Sequence, residues 1–134
     1  MPKHSPVDVV ILTILLEEYD AVLKKIENPQ PPQLETNLYA WEVGKIGAYT
    51  VAVGMIGRAG NTNSSQATSD AIDCFDPQYV FLVGIAGGLR EVEKGGVVIA
   101  DIIYGYEYGK IEKIFTPRVN FTYRTDLGLL NMAT

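Results

Sequence analysis

Between Val7 and Asn28 the pattern of apolar residues changes period with almost no gap. Val7–Leu15 is a run rich in β-branched residues, entered through Pro6, and it has the pattern of a buried strand. From Leu16 to Asn28, Tyr19, Val22, Leu23 and Ile26 fall at i, i+3, i+4 and i+7, the stripe of an amphipathic helix, and Pro29, Pro31 and Pro32 bar its continuation. A buried strand that turns directly into a helix is the opening unit of an α/β fold.

The rest of the chain repeats that grammar. Leu38–Val43 and Ala48–Val53 are strand-like runs around Gly44-Lys45-Ile46-Gly47, which predicts a hairpin. After the glycine-punctuated stretch Gly54–Gly60, a helix is expected from Asn61 or Thr62 to about Asp76, ended by Pro77. Tyr79–Val83 reads as a short buried strand that runs out into Gly84-Ile85-Ala86-Gly87-Gly88. Val97–Tyr104, behind Gly95-Gly96, reads as a strand, and Thr116–Tyr123 as loop. Thr125 and Asp126 resemble a helix start, and Leu127, Leu129 and Leu130 begin an apolar face that breaks off after one or two turns. An unfinished helix leads us to expect that a further segment of the domain is missing beyond Thr134.

With 134 residues there is room for one domain with a core. Eleven basic against sixteen acidic residues give a net charge of −5, which argues against a surface that tracks nucleic-acid phosphates. Cys74 is the only cysteine, so no internal disulfide forms and a reducing compartment fits best. Met1–Pro6 is polar and lacks a secretory pattern, and the longest apolar stretches, Val9–Leu16 and Tyr79–Leu89, are too short for a membrane span. The expectation is a cytoplasmic chain with no nucleic-acid or membrane partner. No metal-ligand spacing occurs, and no cofactor is implied.

Three segments carry the candidate chemistry. Glu17-Glu18 lies just past the carboxyl end of the first strand, where α/β folds bind ligands, so a carboxylate there is placed for acid–base work; equally, both are first-turn acids that complement the helix dipole. In Gly54–Gly60, glycines allow close backbone approach and the following helix start favours anions or ribose hydroxyls, with Arg58 adding charge; a tightly packed structural turn reads the same way. Gly84–Gly88 leaves space at a strand end for a flat ligand, with Gly87 and Gly88 free to take positive φ, or is simply a turn. His4 sits in the terminal segment and reads as inert, Cys74 reads as core rather than nucleophile, and the alternating Tyr104, Tyr106 and Tyr108 line a pocket or pack.

Taken in order, Ile11–Glu18, Gly54-Met55-Ile56-Gly57-Arg58 and Val83–Leu89, followed by Gly95–Asp101, resemble the nucleoside phosphorylase superfamily, and within it the methylthioadenosine/S-adenosylhomocysteine nucleosidase branch. The resemblance runs over nearly the whole chain. It implies a three-layer α/β/α fold with a mixed central sheet, phosphorylase/hydrolase-like, and cleavage of the bond between ribose and purine. It implies that Glu18 positions and deprotonates the attacking water, that Ile14 lines the pocket near the sugar, that Ile56 and Gly57 form the sugar-side loop, and that Ile85, Ala86 and Gly87 form the purine-side wall.

Departures from the family narrow this reading. Its phosphorylases hold phosphate with arginines and a serine, whereas this chain has Ile85 at the serine position and Leu82 at an arginine position. Water is therefore favoured over phosphate as nucleophile, with Arg58 the remaining argument for an anion. The family's Met-Glu ribose contact and its purine-protonating Asp have no match here. The expectation is the N-terminal portion of a single truncated domain, 1–134, inactive alone, acting on a purine nucleoside and assembling as a homo-oligomer. The alternative is a non-catalytic nucleoside-sensing or interaction module at the front of a multidomain regulatory protein.

Overall fold

The computed structural model describes residues 6–32, 40–57, 61–104, 110–111, 115–116 and 122–133. The chain divides into two units, Met1–Ala86 and Gly87–Thr134. In the first, the elements are β1 (Val9–Thr13), α1 (Leu16–Leu23), β2 (Glu27–Gln30), β3 (Ala40–Ile46), β4 (Tyr49–Met55), α2 (Asn61–Phe75) and β5 (Tyr79–Leu82). The strands form one sheet in the order β2-β3-β4-β1-β5. β1 is parallel to both β4 and β5, while β3 runs antiparallel to β4 and to β2, so the sheet is mixed.

The alternation of side chains along β1 and β4 makes three layers from this sheet. Val10, Leu12 and Ala52 point to one face and join Trp41, Ile56 and the α2 residues Ala67, Ala71 and Phe75. Val9, Ile11, Val51 and Val53 point to the other, against Tyr19, Val22 and Leu23 of α1 and the following Ile26. The fold class expected from the sequence is therefore the one observed. On the α2 face, the Trp41 ring meets the Phe75 ring edge-on at a centroid distance of 4.8 Å. Trp41 opposes Gly54 across β3 and β4, and a Cβ on Gly54 would lie 2.6 Å from the indole Cζ3. The glycine is the space the indole occupies.

Several boundaries differ from the sequence reading. The first strand covers Val9–Thr13 rather than Val7–Leu15, because the amides of Ile14 and Leu15 leave the ladder and donate to Glu18. The first helix stops at Leu23 rather than Asn28, and Pro29 stands in the edge strand β2, where a missing N–H is tolerated. Ile26 keeps its place in the α1-side core although it is no longer helical. The hairpin turns at Gly47-Ala48 rather than over Gly44–Gly47, since Lys45 and Ile46 continue the pairing with Thr50 and Tyr49. Residues 33–39 lie outside the described residues, and with them Leu38, where the first hairpin strand was expected to begin. The second helix and the strand after it fall where the pattern put them, but β5 is not buried: Tyr79 and Val80 are half-buried and Phe81 and Leu82 exposed, on a strand at the edge of the sheet.

The second unit has β6 (Ile102–Tyr104) paired antiparallel with β9 (Thr122–Arg124), β7 (Lys110–Ile111) paired with β8 (Phe115–Thr116), and α3 (Leu127–Ala133). Only the last three residues of the expected Val97–Tyr104 strand are paired, and Val97–Ala100 is exposed. Thr116, Thr122 and Tyr123 are in strands where a loop was expected, because each finds an antiparallel partner. Asp126 starts α3 as read from the sequence: its Oδ1 accepts the Leu129 N–H at 3.0 Å. None of the unit's residues whose burial is described is buried. Tyr104 is exposed, and Tyr106 and Tyr108 lie outside the described residues. Among the described residues no helix is long and apolar enough to cross a membrane.

Candidate active site

Parallel strands end on the same side of a sheet, so the carboxyl ends of β4, β1 and β5 lie next to one another, with β1 between the other two. Backbone bonds continue past the ladder and hold the three exits together. Val83 N donates to Leu12 O at 2.9 Å, Ile56 N to Thr13 O at 2.8 Å, and Gly57 N to Ile14 O at 3.1 Å. The buried Thr13 hydroxyl donates to Gly54 O at 3.2 Å, a further tie between β1 and β4.

Glu18 reaches into this junction from the first turn of α1. Its Oε2 accepts the N–H groups of Ile14 at 3.0 Å and Leu15 at 2.9 Å, and its Oε1 accepts the Ile85 N–H at 2.8 Å. The side chain is 7% exposed. The Ile85 N–H above all, with those of Leu15 and Ile14, holds the carboxyl below its ordinary 4.5 against the opposing effect of burial. The group is a buried anion neutralised by backbone dipoles. A carboxylate offers about four lone-pair positions. Among the described residues Oε2 accepts two bonds and Oε1 one, which leaves Oε1 capacity for a further donor.

Glu18 thus stands both in the first turn of α1 and at the strand ends. The bond from Leu15 N satisfies an amide at the helix start, the structural role of an acid in the first turn. The bond from Ile85 joins β1 to the exit of β5 and has nothing to do with the helix. Glu17 is exposed and takes no part.

The other predicted residues separate. Ile14 is half-buried against the α2-side core, and Ile56 is buried within it, so Ile56 presents backbone rather than side chain to the strand ends. Gly57 has φ +73° and open space where a side chain would stand. Ile85 is 79% exposed and Ala86 is exposed beside it. Gly87 belongs to the second unit, and Arg58 lies outside the described residues. Gly87 and Gly88 do not take the positive φ that their residue type permits; Gly57 and Gly95 do. Cys74 packs against the α2-side core, with burial first and then Asp70 and Asp73 pushing its thiol pKa up, as suits a core residue. His4 lies outside the described residues. Among those residues, no group of three or more His, Cys, Asp and Glu is gathered for a metal ion. A shallow hollow on α2, lined by Thr62, Ser65, Gln66 and Ser69, includes no residue of the strand ends.

Sequence reasoning missed the donors. Ile14, Leu15 and Ile85 act through their backbone N–H groups, which every residue but proline possesses, so no residue type marked them. The space at Gly84 was read as room for a ligand, but the Glu18 carboxylate fills it.

A family model described as the phosphorylase superfamily matches residues 8–128. ATP nucleosidase Cap17 of Escherichia coli is 36% identical over 111 residues, which are 78% of this chain and 22% of that protein. The 5′-methylthioadenosine/S-adenosylhomocysteine nucleosidase of Thermotoga maritima is 32% identical over 100 residues, 75% of this chain and 45% of that one. The chain thus spans less than half the length of either relative. Among solved structures, the futalosine hydrolase of Helicobacter pylori superposes with a TM-score of 0.74 at 17% identity, over 94% of this chain and 55% of that one, a likeness of fold.

Proposed function

This chain belongs to the phosphorylase superfamily, and we propose that it supplies the water-activating side of a site that cleaves the N-glycosidic bond of a purine nucleoside. The observation that carries the reading is the buried, ionised Glu18 carboxylate at the joined strand ends, with one acceptor position open on Oε1. The relatives' names, an ATP nucleosidase and a methylthioadenosine/S-adenosylhomocysteine nucleosidase, support the bond type and the purine.

In this mechanism a water donates to Glu18 Oε1 and is thereby aimed at the sugar's anomeric carbon. The bond from that carbon to the purine nitrogen breaks, and its electron pair leaves with the base. As the oxocarbenium-like centre forms, the water oxygen bonds to it and gives its proton to Glu18. The purine needs a proton of its own, and Glu18 supplies only the water half of the chemistry. On this reading the proton donor to the purine comes from outside the described residues.

Charge favours water over phosphate. An anionic nucleophile needs cations to hold it. Among the described residues of the first unit the cations are Lys24, Lys25 and Lys45. The first two follow the last turn of α1, and Lys45 opposes Thr50 near the amino end of β4. None of these three stands at the strand exits, and Arg58, which follows Gly57 in sequence and lies outside the described residues, remains the argument for an anion. The protein so read is a cytoplasmic hydrolase with a purine nucleoside as its small-molecule partner, working as a homo-oligomer without nucleic acid or membrane.

Release of adenine from methylthioadenosine by the full-length natural polypeptide, with and without phosphate, tests this beside Glu18→Gln. Phosphate-independent release that the variant loses supports it; release that requires phosphate, or that survives the variant, overturns it. One observation favours a second reading. The bonds that place Glu18 also make it a weak base, which suits a module that binds a nucleoside without cleaving it. Tight binding with no release from any purine nucleoside would select that reading.

A further inference from the structure

We propose that Gly84 is a positioning residue: its missing side chain is the seat of the Glu18 carboxylate, and the N–H of the next residue, Ile85, is the anchor that keeps it there. The inference rests on the reading of Glu18 as the water-activating group, but its geometry stands independently.

A Cβ on Gly84 would lie 2.9 Å from Glu18 Oε1, 3.2 Å from Cδ and 3.4 Å from Oε2. The whole carboxylate therefore rests on the face of this glycine, and its three atoms are the three nearest to the position. The nearest contact is to Oε1, the oxygen that accepts the Ile85 N–H at 2.8 Å and keeps the open acceptor position. A methyl group there has a simple way out. The carboxylate is the end of a side chain with rotatable bonds, so it swings off the seat, whereas the strands β1 and β5 remain paired over Val9–Leu12 and Tyr79–Leu82. The Oε2 bonds to Ile14 and Leu15 are on the oxygen farther from the added methyl, at 3.4 Å against 2.9 Å for Oε1. The Ile85 bond is made by Oε1, the oxygen the methyl displaces, and is the one expected to break.

Gly84→Ala is thus expected to keep the fold and lose the anchor. Gly54 is the opposite case, since its Cβ would strike the ring of Trp41, which is buried and packed against Phe75. What distinguishes Gly84 is that its neighbour is the mobile end of one functional side chain.

The test is NMR on the intact protein, following the Glu18 carboxyl carbon through an acid titration and the exchange rate of the Ile85 amide, in native protein and in Gly84→Ala. The expected result is a Glu18 titration shifted upward and faster Ile85 exchange, with the dispersed amide spectrum retained. Purine release by the full-length polypeptide should fall on the order of 10²-fold, as for a reacting group misplaced by about 1 Å. Ile85→Pro deletes the same N–H without filling the seat, at an exposed position, and should shift the Glu18 titration in the same direction. Native titration and native exchange in Gly84→Ala overturn the proposal, whatever the activity. If titration and exchange both change while purine release does not, the seat is real and it is the catalytic reading of Glu18 that fails.

Discussion

The N–H of Ile85 donates to Glu18 Oε1 at 2.8 Å, and this single bond ties the helix that follows β1 to the exit of β5, 67 residues later. It makes Glu18 a side chain of the sheet's carboxyl edge as well as of α1. It also contributes most to keeping the carboxyl ionised in a buried position. The consequences for activity, acid stability and core packing follow from that bond and from the sheet that brings its partners together.

Glu18→Gln keeps the size of the side chain and removes its charge. Purine release by the full-length polypeptide should fall about 10²- to 10⁴-fold, the usual contribution of a positioned acid–base group, chiefly in kcat with KM little changed. Steady-state kinetics of the two proteins check this. A loss confined to KM would make Glu18 a binding residue.

The same substitution should flatten the acid branch of stability. Glu18 titrates below 4.5 in the fold, so as pH falls the unfolded chain takes up the proton first. Its ionised form contributes its full stabilisation above 4.5, and the contribution is lost as pH drops from there through the folded value. Urea unfolding of native protein and Glu18→Gln at about pH 7 and about pH 3 should give a gap that narrows at the lower pH. A gap that widens there would contradict the assignment.

Trp41 and Phe75 meet edge-on over Gly54, and Phe75 is fully buried. Phe75→Ala should cost about 3–5 kcal/mol, and Gly54→Ala about 1–3 kcal/mol from overpacking against the indole. Trp41 is the only tryptophan, so its fluorescence during denaturant unfolding reports on both variants directly. A stable Gly54→Ala protein with native Trp41 emission would mean that the indole has another place to go.

Cys74 should react slowly. Burial and the nearby carboxylates of Asp70 and Asp73 push its thiol above 9.0, so little thiolate exists near neutral pH. Alkylation by iodoacetamide at about pH 7 should be slower than that of free cysteine and should accelerate on unfolding. Equal rates in folded and unfolded protein would remove Cys74 from the core.

Fold class was legible because its evidence is local. Val9–Thr13 carries its strand character in its own residues, and Tyr19, Val22, Leu23 and Ile26 carry the spacing of one buried stripe. The glycine stretches after β4 and β5 mark two strand exits, and Glu18 stands one turn past a third. Less legible were the places where a distant partner decides. Asn28-Pro29 reads as the end of a helix, yet β3 is there to pair with, so Glu27–Gln30 becomes an edge strand. Gly44 reads as a turn residue, yet it lies in β3 close under Ile26 and the backbone of Glu27.

The sequence by itself determined the succession of β1, α1, the β3–β4 hairpin, α2 and β5 and the presence of an acid at the exit of β1, because each follows from residue type and from spacing within a few positions. Only the tertiary structure decided what surrounds that acid. The amide of Ile85 and the bare face of Gly84 become its environment when β5 aligns beside β1. A backbone N–H has no signature in the sequence, and an absent side chain is a seat only when another part of the chain arrives to occupy it.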